Sequence, residues 1–160
     1  MEFIPEDCGE LCSPFLGGGS FELAVAERGI RVYGYDLFRP LVWFWRSLLE
    51  GPLLTAKKAD KLRSGPNQYE HKGKLVWARG LLRQDFERIR EELRQAIRYS
   101  RNYTYANAAK FYAINRSSFS GATFSGGWSE RASYARFTDS SIERLRNFKE
   151  PNLTVHQKDF

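Results

Sequence analysis

A run of three glycines and one carboxylate carry the clearest chemistry in this sequence. The glycines, at positions 17–19, follow a short apolar segment at 10–13, and Asp36 ends an alternating segment at 30–36. Glycine lets a backbone approach a ligand closely, and an acid that ends the next strand can accept hydrogen bonds from ribose hydroxyls. The combination predicts a site for a nucleotide-like ligand. The alternatives are a flexible turn at the glycines and an Asp36 that only ends its strand.

Two later segments match, together with the glycine turn, the signatures of one family. Residues 115–121 read Asn-Arg-Ser-Ser-Phe-Ser-Gly, and the segment 154–160 ends in Asp-Phe. With Pro14 and Phe15 before the glycines, these segments occur in the order typical of the S-adenosylmethionine-dependent, Dam-like D12 class of N6-adenine-specific DNA methyltransferases. The chain resembles the amino-terminal and target-recognition part of such an enzyme over nearly its whole length.

The resemblance implies S-adenosylmethionine as the methyl donor and suggests the residues that contact it. Asp36 would accept from the ribose hydroxyls, Asp159 would accept from the exocyclic amine of the donor adenine, and the Phe160 backbone amide would meet a ring nitrogen. The alternative for Asp159 is a carboxylate that only ends a strand. The methionine portion of the donor would be approached by Phe15, Gly17, Gly18 and Gly19.

By the same resemblance, the segment 115–121 belongs to the side that faces double-stranded DNA. Arginine donates to phosphate, or with two hydrogen bonds to a guanine edge, which suits Arg116. An aromatic ring stacks on bases or fills the space left by a flipped base, which suits Phe119. In the structural alternative, Asn115 ends the preceding helix and Phe119 packs in the core. Asn115, Arg116 and Phe119 are the predicted DNA-binding residues.

The catalytic signature of the family, Asp-Pro-Pro-Tyr, occurs nowhere in the 160 residues, and neither does its Pro-Gly-Gly-Lys segment. We therefore predict no catalytic residue in this chain. We expect it to supply donor binding and DNA recognition for methylation of adenine N6, with a second chain carrying the missing half or with self-association through an open sheet edge. The alternatives are a catalytically inactive DNA-binding remnant of a methyltransferase and an unrelated nucleotide-binding enzyme.

The positive charge of the chain is concentrated in one stretch. The whole sequence has a formal charge of +6, whereas residues 57–101 contain five lysines and eight arginines against six acidic residues, a local balance of +7. A basic lobe on a neutral core suits a polyanionic partner such as nucleic acid. The alternative is a solvated helix face, because arginine and glutamate interleave at helical spacing over 83–98.

The remaining composition argues against several classes of protein. No run of 18 apolar residues is present, and the acidic start is unlike a signal peptide, so we predict neither a membrane span nor export. Cys8 and Cys12 do not suggest a disulfide framework and indicate a reducing compartment. We therefore predict a cytoplasmic location, which includes nucleoid-associated and phage-encoded proteins. Cys12 is expected in the core. His71 and His156 lack partners at metal-ligand spacing, so no metal is predicted.

Periodicity predicts an α/β fold with a parallel sheet and a mainly helical basic insert. The family resemblance implies that this sheet is part of a Rossmann-like methyltransferase sheet. Trp43 and Trp45 are expected in the core. We divide the chain into a first donor-binding part at 1–51, a target-recognition insert at 52–136 and a third-strand part at 137–160. Strands are predicted at 10–13, 30–36 and 152–156, helices at 21–28, 39–49, 52–62, 81–99, 103–114 and 140–148, and a loop or hairpin at 115–136.

Overall fold

In the residues that the structure describes, the fold combines a small parallel sheet with seven α-helices and a separate hairpin. The computed structural model describes residues 4–5, 7–100 and 103–158. Strands and helices follow the chain as β1 (Glu10–Ser13), α1 (Ser20–Ala26), β2 (Arg31–Asp36), α2 (Arg39–Glu50), α3 (Pro52–Asp60), β3 (Asn67–His71), β4 (Lys74–Ala78), α4 (Arg83–Tyr99), α5 (Tyr105–Ser117), α6 (Glu130–Arg136), α7 (Asp139–Arg146) and β5 (Leu153–Gln157).

The parallel sheet has the strand order β1-β2-β5, so β2 lies in the middle. Leu11 pairs with Val32, and Val32 pairs in turn with Leu153. The predicted strands and the mixed α/β class are thus confirmed, with strand ends shifted by one residue at most. Because all three strands run the same way, their carboxyl ends meet at one edge, where ligands bind in open parallel sheets.

Among the described residues, most helices share one hydrophobic cluster with the sheet, and Trp43, Leu93 and Phe111 form a second, smaller cluster. Helix α5 packs against α2, α3 and α4, and α3 also packs against α7. Ala109 and Ala113 on α5 are fully buried, and their small side chains allow close approach between helices. Trp43 and Trp45 are buried as predicted. Helices α3 and α5 of the proposed insert therefore share a core with the sheet, and the domain boundaries at 52 and 136 stay a prediction.

An antiparallel hairpin, β3–β4, was not predicted. Its two-residue turn places Lys72 at φ 52° and Gly73 at φ 74°, and positive φ at both positions is the geometry of the type I′ turns that suit hairpins. The Lys-Gly pair between two alternating segments was the available signal. The described part of residues 52–136, the proposed insert, is mainly helical, and this hairpin adds a two-stranded sheet to it.

Two other expectations are wrong in detail. Asn115 and Arg116 lie in the last turn of α5 rather than in a loop, and residues 130–136 form α6, capped by Ser129, whose hydroxyl accepts from the Ala132 amide at 3.2 Å. Cys12 is exposed rather than in the core. It lies on β1, which among the described residues has a neighbouring strand on one side only.

Within residues 4–5, 7–100 and 103–158, no helix has both the length and the apolar character needed to cross a bilayer.

Candidate donor and DNA site

The glycine turn is held against helix α2 by a tryptophan. Gly19 has φ 70°, and a Cβ built on it would lie 2.5 Å from a ring carbon of Trp45. Trp45 is 4% exposed, and its Nε1 donates to the Gly17 carbonyl at 3.1 Å. Gly19 is therefore needed for backbone conformation and for packing. A Cβ on Gly18 would meet no atom within 4 Å, so this residue faces open space that a ligand can use.

Asp36 joins the glycine turn to the end of β2. Its Oδ2 accepts from the Gly17 amide at 3.1 Å and its Oδ1 accepts from the Phe38 amide at 2.8 Å. Each oxygen of a carboxylate has two acceptor positions, so both atoms retain one for a ligand. The structure brings these two predicted donor contacts together, because Ser13 and Asp36 end neighbouring parallel strands.

A second pair of contacts anchors the turn to β2. The Leu16 amide donates to the Tyr35 carbonyl at 2.8 Å. The buried Leu16 side chain packs directly against Gly34, because a Cβ built on Gly34 would lie only 2.8 Å from Leu16 Cδ1. Phe15, the residue before Leu16, is 83% exposed. Its ring is therefore not committed to the core and lies free at the same end of the sheet.

Glu22 is a buried carboxylate that sequence reasoning missed. It lies in the first turn of α1, is 6% exposed and accepts from the Ser13 hydroxyl at 2.5 Å. It forms no ion pair with any cation that the structure describes. The positive end of the helix dipole favours a carboxylate there. Its place just after the glycine turn was the signal that could have drawn attention to it.

The predicted DNA-binding segment begins at the end of α5, where Asn115 holds a left-handed turn. Its Nδ2 donates to the Gly121 carbonyl at 2.8 Å and to Thr123 Oγ1 at 3.2 Å. Ser120, Gly121 and Thr123 all have positive φ, which is costly for side chains other than glycine. The two amide hydrogen bonds compensate that cost, so Asn115 shapes the turn that follows it.

Two arginines support the same turn from α5 and α6. Arg116 Nε donates to the Arg136 carbonyl at 3.0 Å, and Arg136 Nη2 donates to the Ser118 carbonyl at 2.5 Å. Burial, and then the neighbouring charge of Arg116, lowers the pKa of Arg136. Two cations this close repel each other, which makes the end of α5 a favourable place for an anion.

Phe119 points away from the core. It is 69% exposed and lines a surface cavity of about 350 Å³ together with His71, Arg131 and Arg136. The alternative in which Phe119 packs in the core is therefore wrong. A role in DNA binding is not tested by this exposure and stays a prediction.

One cavity connects the two predicted sites. Its volume is about 450 Å³, and it lies between the glycine turn, α2 and the end of α5. Gly17 and Gly18 line it on one side, and Asn115 and Arg116 line it on the other. Asp159 and Phe160, the remaining predicted donor contacts, lie outside the described residues.

A comparison with models of protein families shows to which family this chain belongs. The sequence model of the D12 class N6 adenine-specific DNA methyltransferases matches residues 1–160. The chain belongs to this family. The resemblance inferred from the three segments is thus confirmed, and the family implies transfer of a methyl group from S-adenosylmethionine to DNA adenine. A search of curated proteins found no match.

Proposed function

We propose that this D12 chain binds S-adenosylmethionine and double-stranded DNA for methylation of adenine N6. The observation that carries the proposal is the cavity of about 450 Å³ with the glycine turn on one wall and Arg116 on the other. Methyl transfer requires the donor methyl group and the acceptor nitrogen in one place and in line. A cavity shared by both predicted binding sites meets that requirement.

The donor side fits the chemistry of S-adenosylmethionine. The open space over Gly18 admits a ligand close to the backbone, and Phe15 offers an uncommitted ring. Asp36 would accept from the ribose hydroxyls with the acceptor positions that remain on its oxygens. The donor is positively charged at its sulfonium and ammonium groups, and the carboxylates of Asp36 and Glu22 favour such a ligand. Asp159 and Phe160 are proposed to hold its adenine.

The DNA side would use the turn after α5 and the hairpin. Arg116 would contact a phosphate or a guanine edge, and Phe119 would stack on a base or fill the space of a flipped adenine. Asn115 would act by fixing the turn that carries Phe119. On the hairpin, Leu75 and Trp77 are exposed beside the basic tip, which gives the insert a second surface of aromatic and cationic character.

Transfer itself is proposed to need residues that this chain does not carry. S-adenosylmethionine, when bound, supplies an activated methyl group. By resemblance to the family, the adenine amino group is held by the acceptors of an Asp-Pro-Pro-Tyr segment, which the 160 residues do not contain. The 160 residues would therefore hold the donor and the DNA, and sequence outside them, such as a second chain that carries this segment, would complete the site.

Calorimetric titration with S-adenosylmethionine tests the donor half. Asp36→Ala should weaken binding by about 1.5–3 kcal/mol, since it removes a charged acceptor of the ribose hydroxyls. Glu10→Gln removes the same charge from an exposed position on β1, where Glu10 forms an ion pair with Arg31 at 3.2 Å and accepts from the Tyr33 hydroxyl at 3.5 Å. This variant should bind the donor like the original chain. Equal affinity in all three proteins would contradict the assignment of Asp36.

A methyl-transfer assay tests whether the 160 residues bind both ligands without catalysing the transfer. With radiolabelled donor and adenine-containing duplex DNA, the purified 160-residue chain should bind both ligands and transfer no methyl group. Light scattering on the same sample reports self-association, for which the open β1 edge is the proposed surface. Transfer by a monomer would mean that the catalytic residues lie within this chain, and DNA binding without any donor binding would favour the inactive remnant.

A further inference from the structure

The positive charge of residues 57–101 is arranged in two different ways. On α4, three of the five arginines are paired with acidic residues one turn away, whereas Arg83 and Arg98 form no ion pair in the described part of the chain. Such pairs are bound to each other rather than available to a new anion. The pairs are Arg88 with Asp85 at 3.0 Å and with Glu92 at 2.8 Å, Arg90 with Glu87 at 2.5 Å, and Arg94 with Glu91 at 3.7 Å.

On α3, and at Lys61 directly after it, the cations are left without such partners. Lys57, Lys58 and Lys61 are exposed, and none forms an ion pair with a carboxylate in the described part of the chain. The one acid of the helix, Asp60, is directed elsewhere, since its Oδ1 accepts from Arg63 at 2.5 Å and from Arg79 at 3.0 Å. We call Lys57, Lys58 and Lys61 the lysine face of α3.

The lysine face stands on a rigid support. The opposite side of α3 is buried through Thr55, Ala56 and Ala59, and the Thr55 hydroxyl donates to the Ser47 carbonyl of α2 at 2.9 Å. At the end of the helix, the buried guanidinium of Arg63 bridges Asp60 and Asp139 of α7. A backbone fixed on two sides presents its lysines in a defined direction, which lowers the entropic cost of binding a partner.

We propose that the lysine face of α3 contacts the phosphate backbone of duplex DNA, and that the paired arginines of α4, Arg88, Arg90 and Arg94, do not. The proposal rests on the function proposed above and adds a contact surface to it. Lys61 follows α3 directly with a helical backbone conformation, so Lys57 and Lys61 lie one turn apart on the same side and both can meet one DNA backbone. Ammonium groups without carboxylate partners are free to replace the counterions of a phosphate, whereas paired arginines must first lose a partner.

A lipid surface is the less suitable partner for this face. A helix that lies on a membrane needs a broad apolar side to insert below the headgroups. On α3 the apolar side is already used in the protein core, and the exposed apolar residues are Leu53 and Leu54 at the start of the helix. Charge without an apolar face favours a soluble polyanion.

Salt-dependent DNA binding by the whole chain tests the lysine face. Fluorescence anisotropy with a labelled duplex at several salt concentrations gives the slope of log affinity against log salt. Lys57→Gln combined with Lys61→Gln should make that slope shallower by about 1.8, because each phosphate contact contributes roughly 0.9. Arg88→Gln combined with Arg94→Gln removes the same net charge from α4 and should leave the slope unchanged.

The outcomes separate this inference from the proposed function. If the original chain binds DNA but both double variants change its slope equally, or the lysine variant does not change it, the lysine face is not the contact surface. If the original chain binds no DNA, the proposed function fails with it. Binding to vesicles of anionic phospholipid that depends on Lys57 and Lys61, with unchanged DNA binding, would assign the surface to lipid instead.

Discussion

The two turns that line the shared cavity are built by different means. The donor-side turn at 17–19 takes its left-handed conformations from glycine, with φ 48° at Gly17 and 70° at Gly19. The DNA-side turn at 118–123 has positive φ at Ser120 and Thr123, which are not glycines, and depends on the amide of Asn115 for its shape.

The two turns differ in which residues determine their backbone conformation. Glycine removes the steric cost of a left-handed backbone locally, so a ligand-free turn is already in place. A side-chain hydrogen bond instead offsets that cost from outside the turn, and the turn is lost if the donor is lost. The donor side is therefore expected to be intolerant of added atoms, and the DNA side intolerant of removed hydrogen bonds.

The largest effect is expected at Gly19. Gly19→Ala would place a methyl group against the buried Trp45 ring and force an alanine into a left-handed conformation, which together should destabilise the fold by about 3 kcal/mol. Gly18→Ala is the matched change, because its methyl group meets nothing within 4 Å. It should leave stability nearly unchanged and weaken donor binding. Urea denaturation compares the two, and equal loss in both would contradict the role of Trp45.

Removal of the Asn115 amide should have the next largest effect. Asn115→Ala deletes the hydrogen bonds to Gly121 and Thr123 and should cost about 1–3 kcal/mol, since partners are left unpaired in a strained turn. Asn147→Ala is a suitable control, because Asn147 is exposed and its amide only reaches Glu143 at 2.8 Å. A stability for Asn115→Ala equal to that of the control would mean that the turn holds its own shape.

The comparison also explains what the sequence could predict. The glycine turn and the strand that ends at Asp36 were predicted because their signals are local in the sequence. Consecutive glycines indicate a turn, and an alternating segment indicates a strand. Asn115 was predicted as a DNA contact, whereas its side chain bonds residues six and eight positions later. The core on which α3 and α5 pack, and the pairing of Glu22 with Ser13, depend on contacts distant in sequence, which no periodicity reports.

Exposed aromatic residues on the two sides should separate the two binding activities. Phe119→Ala should leave stability unchanged and weaken DNA binding by about 1–3 kcal/mol, the usual loss for one stacked base. Phe15→Ala should weaken donor binding and leave DNA binding unchanged. Calorimetry with S-adenosylmethionine and anisotropy with duplex DNA on both variants give the four values. If each variant weakened the binding of both ligands equally, the division into a donor side and a DNA side would be wrong.

The smallest effect concerns the support of α5, which carries the DNA-side turn. Lys110 on α5 donates to Glu92 on α4 at 2.9 Å, and this hydrogen bond, reinforced by Arg88, holds the pKa of Glu92 below its ordinary value despite partial burial.

A carboxyl group whose pKa is lower in the folded state stabilises the fold above its unfolded pKa, about 4.3, and that stabilisation disappears as the pH falls through the lower folded value. Both side chains are still partly accessible to solvent, 23% for Lys110 and 38% for Glu92, so solvent screening should keep the contribution of the pair below about 1 kcal/mol. Glu92→Gln should therefore lower stability slightly at pH 7 and have no effect near pH 2, whereas Glu91→Gln, paired with Arg94 at the longer distance of 3.7 Å, should change stability less at either pH. Thermal denaturation of both variants at several pH values measures this, and a Glu92→Gln effect that persisted at pH 2 would show that packing of the side chain, not its charge, links α4 to α5.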